Sequence, residues 1–173
     1  GAVDRVRRNG CSESEISFEN DVITGFNYTN PNTTTDACKI FNPSGGKISY
    51  SFNNNWLSEA LATDYVYFAP RHCIDKVGTG NGSCSTSSQE IILLMGPLKQ
   101  EICFSLNEMN NIPKVSNDVP SINSSGNPFI GTFATGGFFM IDGPFTGKSY
   151  GCHKDTLGGG TGYYWFHYAI LAR

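Results

Sequence analysis

Residues 89–111 combine the two strongest secondary-structure patterns in the chain. The continuous apolar run at residues 91–95 is typical of a strand that is buried on both faces. Gly96-Pro97 interrupts the run, and proline suits the first position of a helix because its φ is already fixed. Apolar side chains then recur at helical spacing, as Leu98, Ile102, Leu106 and Met109. The sequence therefore predicts a buried strand and then one internal helix over about residues 97–110, whose apolar stripe packs on the core.

The cysteine pattern is the second constraint on the fold. The six cysteines are Cys11, Cys38, Cys73, Cys84, Cys103 and Cys152. None belongs to a C-x-x-C pair, and no group has the spacing of a zinc site, so structural disulfides made in an oxidising compartment are favoured over a metal or redox centre. The turn-rich segment between Cys73 and Cys84 predicts that these two are joined. For the rest, we expect the pairs Cys11–Cys38 and Cys103–Cys152 among the alternatives that six cysteines allow.

Length and charge limit the class of protein. A chain of 173 residues is long enough for a packed core, and we predict a single globular domain over residues 1–173. Charged residues make up only 16% of the chain and the net charge is −3, which provides no basic surface for nucleic acid or for anionic lipid. We therefore expect no nucleic-acid partner.

The first residues have the pattern of a helix end. Basic residues at positions 5, 7 and 8 complement the C-terminal dipole of a helix over residues 2–8, and Asn9-Gly10 is a natural stop. A helix this short is unstable by itself. We therefore expect residues 1–9 to be the end of a longer N-terminal helix, with any targeting segment removed by processing or omitted from the expressed fragment.

The rest of the chain predicts short strands and polar loops. Strands are predicted at residues 16–18, 22–28, 38–41, 47–52, 65–68, 73–77, 129–133 and 138–141. Residues 163–171 are too aromatic to form a solvated tail and predict a strand near the middle of the sheet. Loops are expected at residues 30–36, 114–128 and 152–162. The predicted fold class is α+β: an antiparallel β-sheet head with a short N-terminal helix, one internal helix and disulfide bonds.

Oxygen-rich residues offer one candidate metal site. Asp75 and Asn81, with the glycines between them, could bind calcium through side-chain and carbonyl oxygens, and Asp142 or Asp155 could approach in space. Only one carboxylate falls within the loop itself, so a structural turn is the favoured interpretation. Four glycosylation sequons also occur, at Asn27, Asn32, Asn81 and Asn123.

No catalytic signature is present. His72, His153 and His167 could hold a metal or relay a proton, but each lacks a partner at diagnostic spacing, and His167 has the setting of a hydrogen-bonded core residue. Cys152 and His153 are adjacent, so their side chains point apart, and Ser44 is not in a G-x-S-x-G elbow. We expect no catalytic, cofactor-binding or metal-ligating residues, no cofactor, and no enzymatic activity.

The order of several short motifs resembles a known class of extracytoplasmic proteins. The motifs are the basic helix end with Asn9-Gly10-Cys11, CKIFNPSGG at residues 38–46, Cys73 to Cys84 with the central Val-Gly-Thr-Gly, Cys103 followed by Asn107, and the aromatic end at residues 163–173. This layout resembles the globular head of type IV pilin-like and type II secretion pseudopilin-like (prepilin-type) proteins of Gram-negative bacteria, with the N-terminal apolar helix missing.

The resemblance implies assembly and surface contact as the function. In such proteins the apolar helix first anchors the subunit in the inner membrane and then packs with its neighbours as the filament core. The implied partners are other pilin-like subunits, with membrane contact only through the missing helix, and the implied location is the periplasm or the cell surface. Loops 30–36, 117–127 and 153–162 are the candidate contact surfaces.

Two other functions stay open from the residues alone. The first alternative is a secreted adhesin or carbohydrate-binding β module without catalysis, which the aromatic strands and polar loops fit equally well. The second is a secreted hydrolase, for which loss of turnover in His153→Ala would be the evidence.

Overall fold

The computed structural model describes residues 1–20, 28–49, 54–58, 65–124, 128–156 and 162–173. The backbone forms two compact units. Unit 1 consists of Gly1–Phe52 and Pro128–Phe133, and unit 2 consists of Asn53–Asn127 and Ala134–Arg173. This division does not test the predicted single domain over residues 1–173, which remains a prediction.

Unit 1 begins with helix α1, Ala2–Arg8, which buries Val3 and Val6. The helix contacts the 3-10 turn Asp36–Cys38, and the disulfide Cys11–Cys38 follows directly after the helix. Asn9 reinforces this junction, because its side-chain amide donates to the backbone carbonyls of Ala37 at 3.1 Å and Ser44 at 3.3 Å. The short helix predicted at the N-terminus is therefore present and is held at its C-terminal end.

The strands predicted for unit 1 are not formed in its described residues. Residues 16–18 and 38–41 meet only at one parallel bridge, between Ser17 and Lys39, and residues 129–133 are irregular. Residues 47–49 are also irregular, and residues 21–27 and 50–53 lie outside the described residues. Side-chain packing rather than a strand ladder holds residues 16–18 and 129–133 together. Phe18 and Phe129 are fully buried, and their ring centroids are 6.1 Å apart.

In its described residues, unit 2 is built on a six-stranded sheet. Its strands are β1 (Tyr65–Ile74), β2 (Glu90–Leu98), β3 (Ser121–Ile122), β4 (Phe139–Ile141), β5 (Tyr150–Asp155) and β6 (Tyr164–Leu171), and helix α2 (Gln100–Met109) follows β2. The spatial order is β3-β5-β6-β2-β1-β4. The predicted strand at residues 163–171 is confirmed and lies between β5 and β2.

The prediction of a purely antiparallel sheet is wrong at both edges. The four central strands pair antiparallel, but β4 pairs parallel with β1 and β3 pairs parallel with β5. Parallel partners need a crossover connection rather than a hairpin. Both edge strands arrive by such connections, so the sheet is mixed.

Helix α2 begins three residues later than the proline pattern predicts. β2 continues through Gly96 and Pro97 to Leu98, which is fully buried and pairs with Tyr164, and the helix then begins at Gln100. The register against β6 shifts between Met95 and Leu98, and such irregular positions are where a strand tolerates proline. Pairing energy in the sheet thus overrides the local preference of proline for a helix start.

Gly96 has a packing reason of its own. A Cβ atom at this position would lie 2.8 Å from Trp165 Cε3 and from the carbonyl oxygen of Tyr164. Only glycine lets β2 and β6 approach this closely. The residue that interrupts the apolar run therefore permits strand packing rather than ending the strand.

The two faces of the sheet carry separate apolar clusters. One cluster contains Ile92 and Leu94 of β2 together with other buried residues, namely Ala69, Ile74, Ile112, Ile122, Ile141 and Phe145. The other joins α2 to the sheet through Leu98, Cys103, Val119 and Cys152, with Ile102 and Leu106 half-buried against it. The predicted apolar stripe therefore packs on the core at Ile102 and Leu106, whereas Met109 is 75% exposed.

Two other expectations for unit 2 need correction. Residues 65–68 and 73–77 do not form separate strands, because β1 runs unbroken over Tyr65–Ile74, with a bulge at Arg71, whose φ is +82°. Cys152 and His153 are not in a loop but in β5, where they pair with Phe166 and Trp165. None of the described helices is both long enough and apolar enough to span a bilayer.

Candidate functional site

Two histidines meet in the core of unit 2. His153 of β5 pairs with Trp165 of β6, and His167 of β6 pairs with Gly151 of β5, so both imidazoles lie on the same face of the sheet. Both are fully buried, and their Nδ1 atoms are 3.1 Å apart. The two rings therefore share a hydrogen bond in a dry environment.

Phe145 covers this pair. Its ring stands edge-on to both imidazoles, with centroids 6.5 Å from His153 and 5.0 Å from His167. Gly151 makes the close approach possible, since a Cβ there would lie 2.7 Å from the Phe145 ring. The rings are thus enclosed by apolar packing rather than by solvent.

Ser124 extends the arrangement. Its Oγ lies 3.1 Å from His153 Nε2, and its backbone N–H donates to Asp155 Oδ1 at 3.2 Å. The connectivity Ser124–His153–His167 is that of a nucleophile, a base and an orienting group. Ser124, however, is only 5% exposed.

The partners of each ring nitrogen favour one set of tautomers. One proton occupies the position between the two Nδ1 atoms, and His167 Nε2 has no hydrogen-bond partner among the described residues. A buried N–H without an acceptor is rarer than a buried acceptor without a donor. We therefore assign the proton to His167 Nδ1, which leaves His153 Nε2 protonated and donating to Ser124 Oγ.

This assignment runs opposite to the proton path of a serine hydrolase. There, the histidine Nε2 accepts the hydroxyl proton while Nδ1–H is donated to the orienting group. Here, His153 Nε2 carries the proton toward Ser124, so the ring cannot take a proton from that hydroxyl. The arrangement is suited to packing and hydrogen bonding rather than to activating a nucleophile.

His72 is a third buried imidazole. It stacks on Phe139 with centroids 5.4 Å apart, and its Nδ1 lies 3.1 Å from the carbonyl oxygen of Pro70, which fixes the proton on Nδ1. Its Nε2 has no partner among the described residues. The three histidines that the sequence singles out are therefore all core residues, as expected for His167.

Burial keeps all three imidazoles neutral. It lowers the pKa of His72 to about 4 and the pKa of His167 to about 3. Burial, together with the neighbouring His167 and His72, holds the pKa of His153 well below its ordinary value. Since none of these rings is charged at neutral pH, none contributes a fixed positive charge to a binding site.

Glu90 is a buried titratable group that sequence reasoning missed. Its Oε2 accepts from the backbone N–H of Ile74 at 2.9 Å, while Oε1 has no partner in the described part of the chain. Burial raises its pKa to about 7. The available signal was a carboxylate immediately before the doubly buried run at residues 91–95.

The candidate calcium residues are used for structure. Asp75 Oδ1 accepts from Gly82 N at 2.8 Å and Oδ2 accepts from Thr146 Oγ1 at 3.1 Å, which ties the Cys73–Cys84 segment to the turn Gly143–Phe145. Asp155 instead bonds Ser124. In the described ranges, no group of three or more His, Cys, Asp or Glu side chains is placed to hold a metal ion.

All six cysteines are joined in pairs. The structure contains the disulfides Cys11–Cys38, Cys73–Cys84 and Cys103–Cys152, with Cα–Cα distances of 5.7, 5.4 and 5.2 Å. These distances lie in the normal disulfide range. The bonds are typical of an oxidising, extracytoplasmic compartment, and no cysteine is left for a thiolate site.

The predicted contact loops are partly buried. In loop 30–36, the Asn30 side chain is buried and donates to the carbonyls of Ser14 and Ile16, both at 2.8 Å. Loop 117–127 includes strand β3 and the buried Ser124, and residues 153–155 of the third loop belong to β5. Residues 125–127 and 157–161 lie outside the described residues.

The sequons differ in how their amides are used. Asn32 donates to the carbonyls of Ser14 and Gly131, both at 3.4 Å, and Asn123 accepts from Thr156 Oγ1. Asn81 is exposed in the segment between Cys73 and Cys84, and Asn27 lies outside the described residues. The asparagines of the three sequons at Asn32, Asn81 and Asn123 are thus described and exposed.

Comparison of the chain with protein-family models, with curated proteins and with solved structures found no match.

Proposed function

We propose that this chain is the head of a pilin-like or pseudopilin-like filament subunit, with assembly and surface contact rather than catalysis as its role. The motif order carries the resemblance, and three disulfides in an extracytoplasmic protein agree with it. The observation that supports the proposal most directly is that the C-terminal end of α1 is held to the rest of unit 1 by hydrogen bonds and a disulfide.

A helix that joins a head to a filament core must not fray where the two meet. The last turn of a helix normally does fray, because its carbonyls lack intrahelical partners. Here Asn9 bonds two backbone carbonyls directly after α1, and the Cys11–Cys38 bond follows two residues later. Cross-linking residues 27 apart removes about 3.5 kcal/mol of unfolded-chain entropy. Force on α1 would therefore be passed to unit 1 without unravelling the junction.

The side chains that could do chemistry favour a non-catalytic role. His72, His153 and His167 are fully buried, and the tautomers assigned to the pair do not activate Ser124. The proposed partners are other pilin-like subunits, and membrane contact would be made only by an apolar helix that precedes Gly1 in the native protein. The proposed location is the periplasm or the cell surface, with inner-membrane anchoring before assembly.

The decisive test is the mass and N-terminal sequence of the native protein extracted from its source. The proposal requires an apolar segment of about 20 residues ahead of Gly1, with a methylated first residue. A native N-terminus near Gly1, produced by cleavage of a conventional signal peptide, would overturn it. In that case specific binding on a glycan array would support a secreted carbohydrate-binding module instead.

A further inference from the structure

We infer that unit 2 contains an acid-sensitive conformational device, in which protonation of the buried pair His153–His167 opens the sheet face that the pair helps to pack. This inference is independent of the filament role, because it concerns only the core of unit 2. It predicts a second state of the protein, reached on acidification, in which unit 2 loses its packing.

The contact between the rings limits how many protons the folded state can hold. The two Nδ1 atoms are 3.1 Å apart, so a single proton fills the space between them. If both rings became imidazolium, two N–H groups would point at each other across that distance. The folded pair therefore cannot accept two charges, whereas the same side chains in an unfolded chain can.

The side chains that hydrogen-bond to the pair or stack against it supply no negative charge. Ser124 and Phe145 are neutral, and β1 contributes His72, which would add a like charge when protonated. On β5, Asp155 Oδ1 accepts from Ser124 N, and on β2 Glu90 accepts from Ile74 N. Burial raises the pKa of Glu90 to about 7, so this carboxyl is largely protonated in mildly acidic solution.

Proton linkage gives the direction and the pH window. All three histidines have folded-state pKa values below the ordinary value of 6.5, so each takes up a proton on unfolding once the pH falls below 6.5. Glu90 acts in the opposite direction between its ordinary pKa of 4.5 and its folded-state pKa of about 7, because there the folded state holds the proton. On unfolding between pH 4.5 and 6.5, the three histidines take up three protons and Glu90 releases one, which is a net uptake of about two protons. The folding equilibrium constant should therefore fall roughly a hundredfold per pH unit in this window.

Unit 1 supplies an internal control. All three histidines of the chain belong to unit 2. Acidification should therefore expose amides of β5 and β6 to hydrogen exchange before those of α1. Simultaneous loss of protection in both units would show that the histidines are not the trigger.

The test uses the 173-residue chain with its disulfides intact. Urea unfolding would be measured from pH 8 to pH 4.5, with hydrogen exchange read by mass spectrometry at each pH. The expected result is a steep loss of stability below pH 6.5 that begins in unit 2. A stability that stays constant from pH 7 to pH 5 would overturn the inference.

Ring chemistry provides a second readout that needs no variant. Nitrogen chemical shifts of the three imidazoles in the folded protein should report neutral rings at pH 5.5. Titration of His153 or His167 near pH 6.5 in the folded state would contradict the inference. In the variant His167→Gln, the pH dependence of the folding constant should fall from about a hundredfold to about tenfold per pH unit, since one proton site is lost.

Discussion

Asn107 and Cys152 form a reciprocal hydrogen-bonded pair between α2 and β5. Asn107 Nδ2 donates to the carbonyl oxygen of Cys152 at 2.8 Å, and the backbone N–H of Cys152 donates to Asn107 Oδ1 at 2.7 Å. Cys152 pairs with Phe166 on one side, while on the other β3 reaches only Lys154 and Asp155. The amide therefore takes the place of a neighbouring strand at this point of β5, and satisfies backbone groups that would otherwise be buried without partners.

Replacing Asn107 with alanine should destabilise unit 2 strongly. The change leaves a buried N–H and a buried C=O of Cys152 unsatisfied, at about 1–3 kcal/mol each. We expect a loss of about 3 kcal/mol in the free energy of unfolding, measured by urea denaturation at pH 7.

Asn110→Ala is the matched control for this prediction. Asn110 lies one turn further on and makes a single bond, from its Nδ2 to the carbonyl oxygen of Tyr150 at 2.6 Å. Its loss should cost about 1 kcal/mol. If the two alanine variants lost the same free energy of unfolding, the second hydrogen bond of Asn107 would contribute nothing to stability.

Removal of the Cys11–Cys38 bond should loosen α1 without unfolding unit 2. In the double variant Cys11→Ser, Cys38→Ser, we expect stability to fall by about 3.5 kcal/mol, the loop entropy estimated from a separation of 27 residues. Hydrogen exchange should increase in α1 while β2 and β6 stay protected. Intact mass with and without reductant checks the premise, and six alkylatable thiols in the native protein would refute it.

The two innermost strands, β2 and β6, were predictable because their signal is local. The run at residues 91–95 and the aromatic segment at residues 163–171 are apolar throughout, as strands buried in the middle of a sheet must be. Helix α2 was also found from its apolar spacing. Its start was misplaced because the proline rule describes an isolated segment, whereas Leu98 is held in β2 by Tyr164.

The histidine pair and the mixed edges could not be predicted because they depend on register. His153 and His167 are 14 residues apart, and they meet only because β5 and β6 pair with Gly151 opposite His167. β3 and β4 have two and three residues, too few for a periodic pattern. In unit 1, buried phenylalanines and amide hydrogen bonds replace strand ladders, and neither leaves a periodic trace in the sequence.

Asp118→Asn should destabilise the protein at neutral pH but not in strong acid. Asp118 accepts from Lys154 Nζ and Gln100 Nε2, both at 3.0 Å. Burial raises the pKa of Asp118, but hydrogen bonds from Lys154, Gln100 and Val119 outweigh it and lower the pKa to about 2. A depressed pKa stabilises the fold above the ordinary value of 3.8, and this contribution is lost as the pH falls through about 2.

Because the Asp118 side chain is partly exposed, solvent screening limits the effect to about 1 kcal/mol at pH 7. The measurement is urea unfolding of both proteins at pH 7 and pH 2.5. Lys154→Met should show a loss of similar size at pH 7, since it removes the other half of the ion pair. A difference between Asp118→Asn and the parent chain that persists unchanged at pH 2.5 would rule out the carboxylate as its source.

Glu90→Gln should stabilise the protein above neutral pH and steepen its response to acid. Burial raises the pKa of Glu90 from its ordinary value of 4.5 to about 7. The neutral carboxyl therefore stabilises the fold below pH 4.5, and this contribution is lost as the pH rises to about 7. Glutamine is neutral at every pH, and its oxygen can still accept from Ile74 N. We expect a gain of roughly 3 kcal/mol at pH 8 and little change at pH 4.5. Without the opposing carboxyl, net proton uptake on unfolding should rise from about two to about three.

Glu101→Gln is the control, because Glu101 lies at an exposed position of α2. It should change stability by no more than about 0.5 kcal/mol at either pH. If the stability difference between Glu90→Gln and the parent were instead the same at pH 8 and at pH 4.5, the pKa of Glu90 would have to be the same in the folded and the unfolded protein.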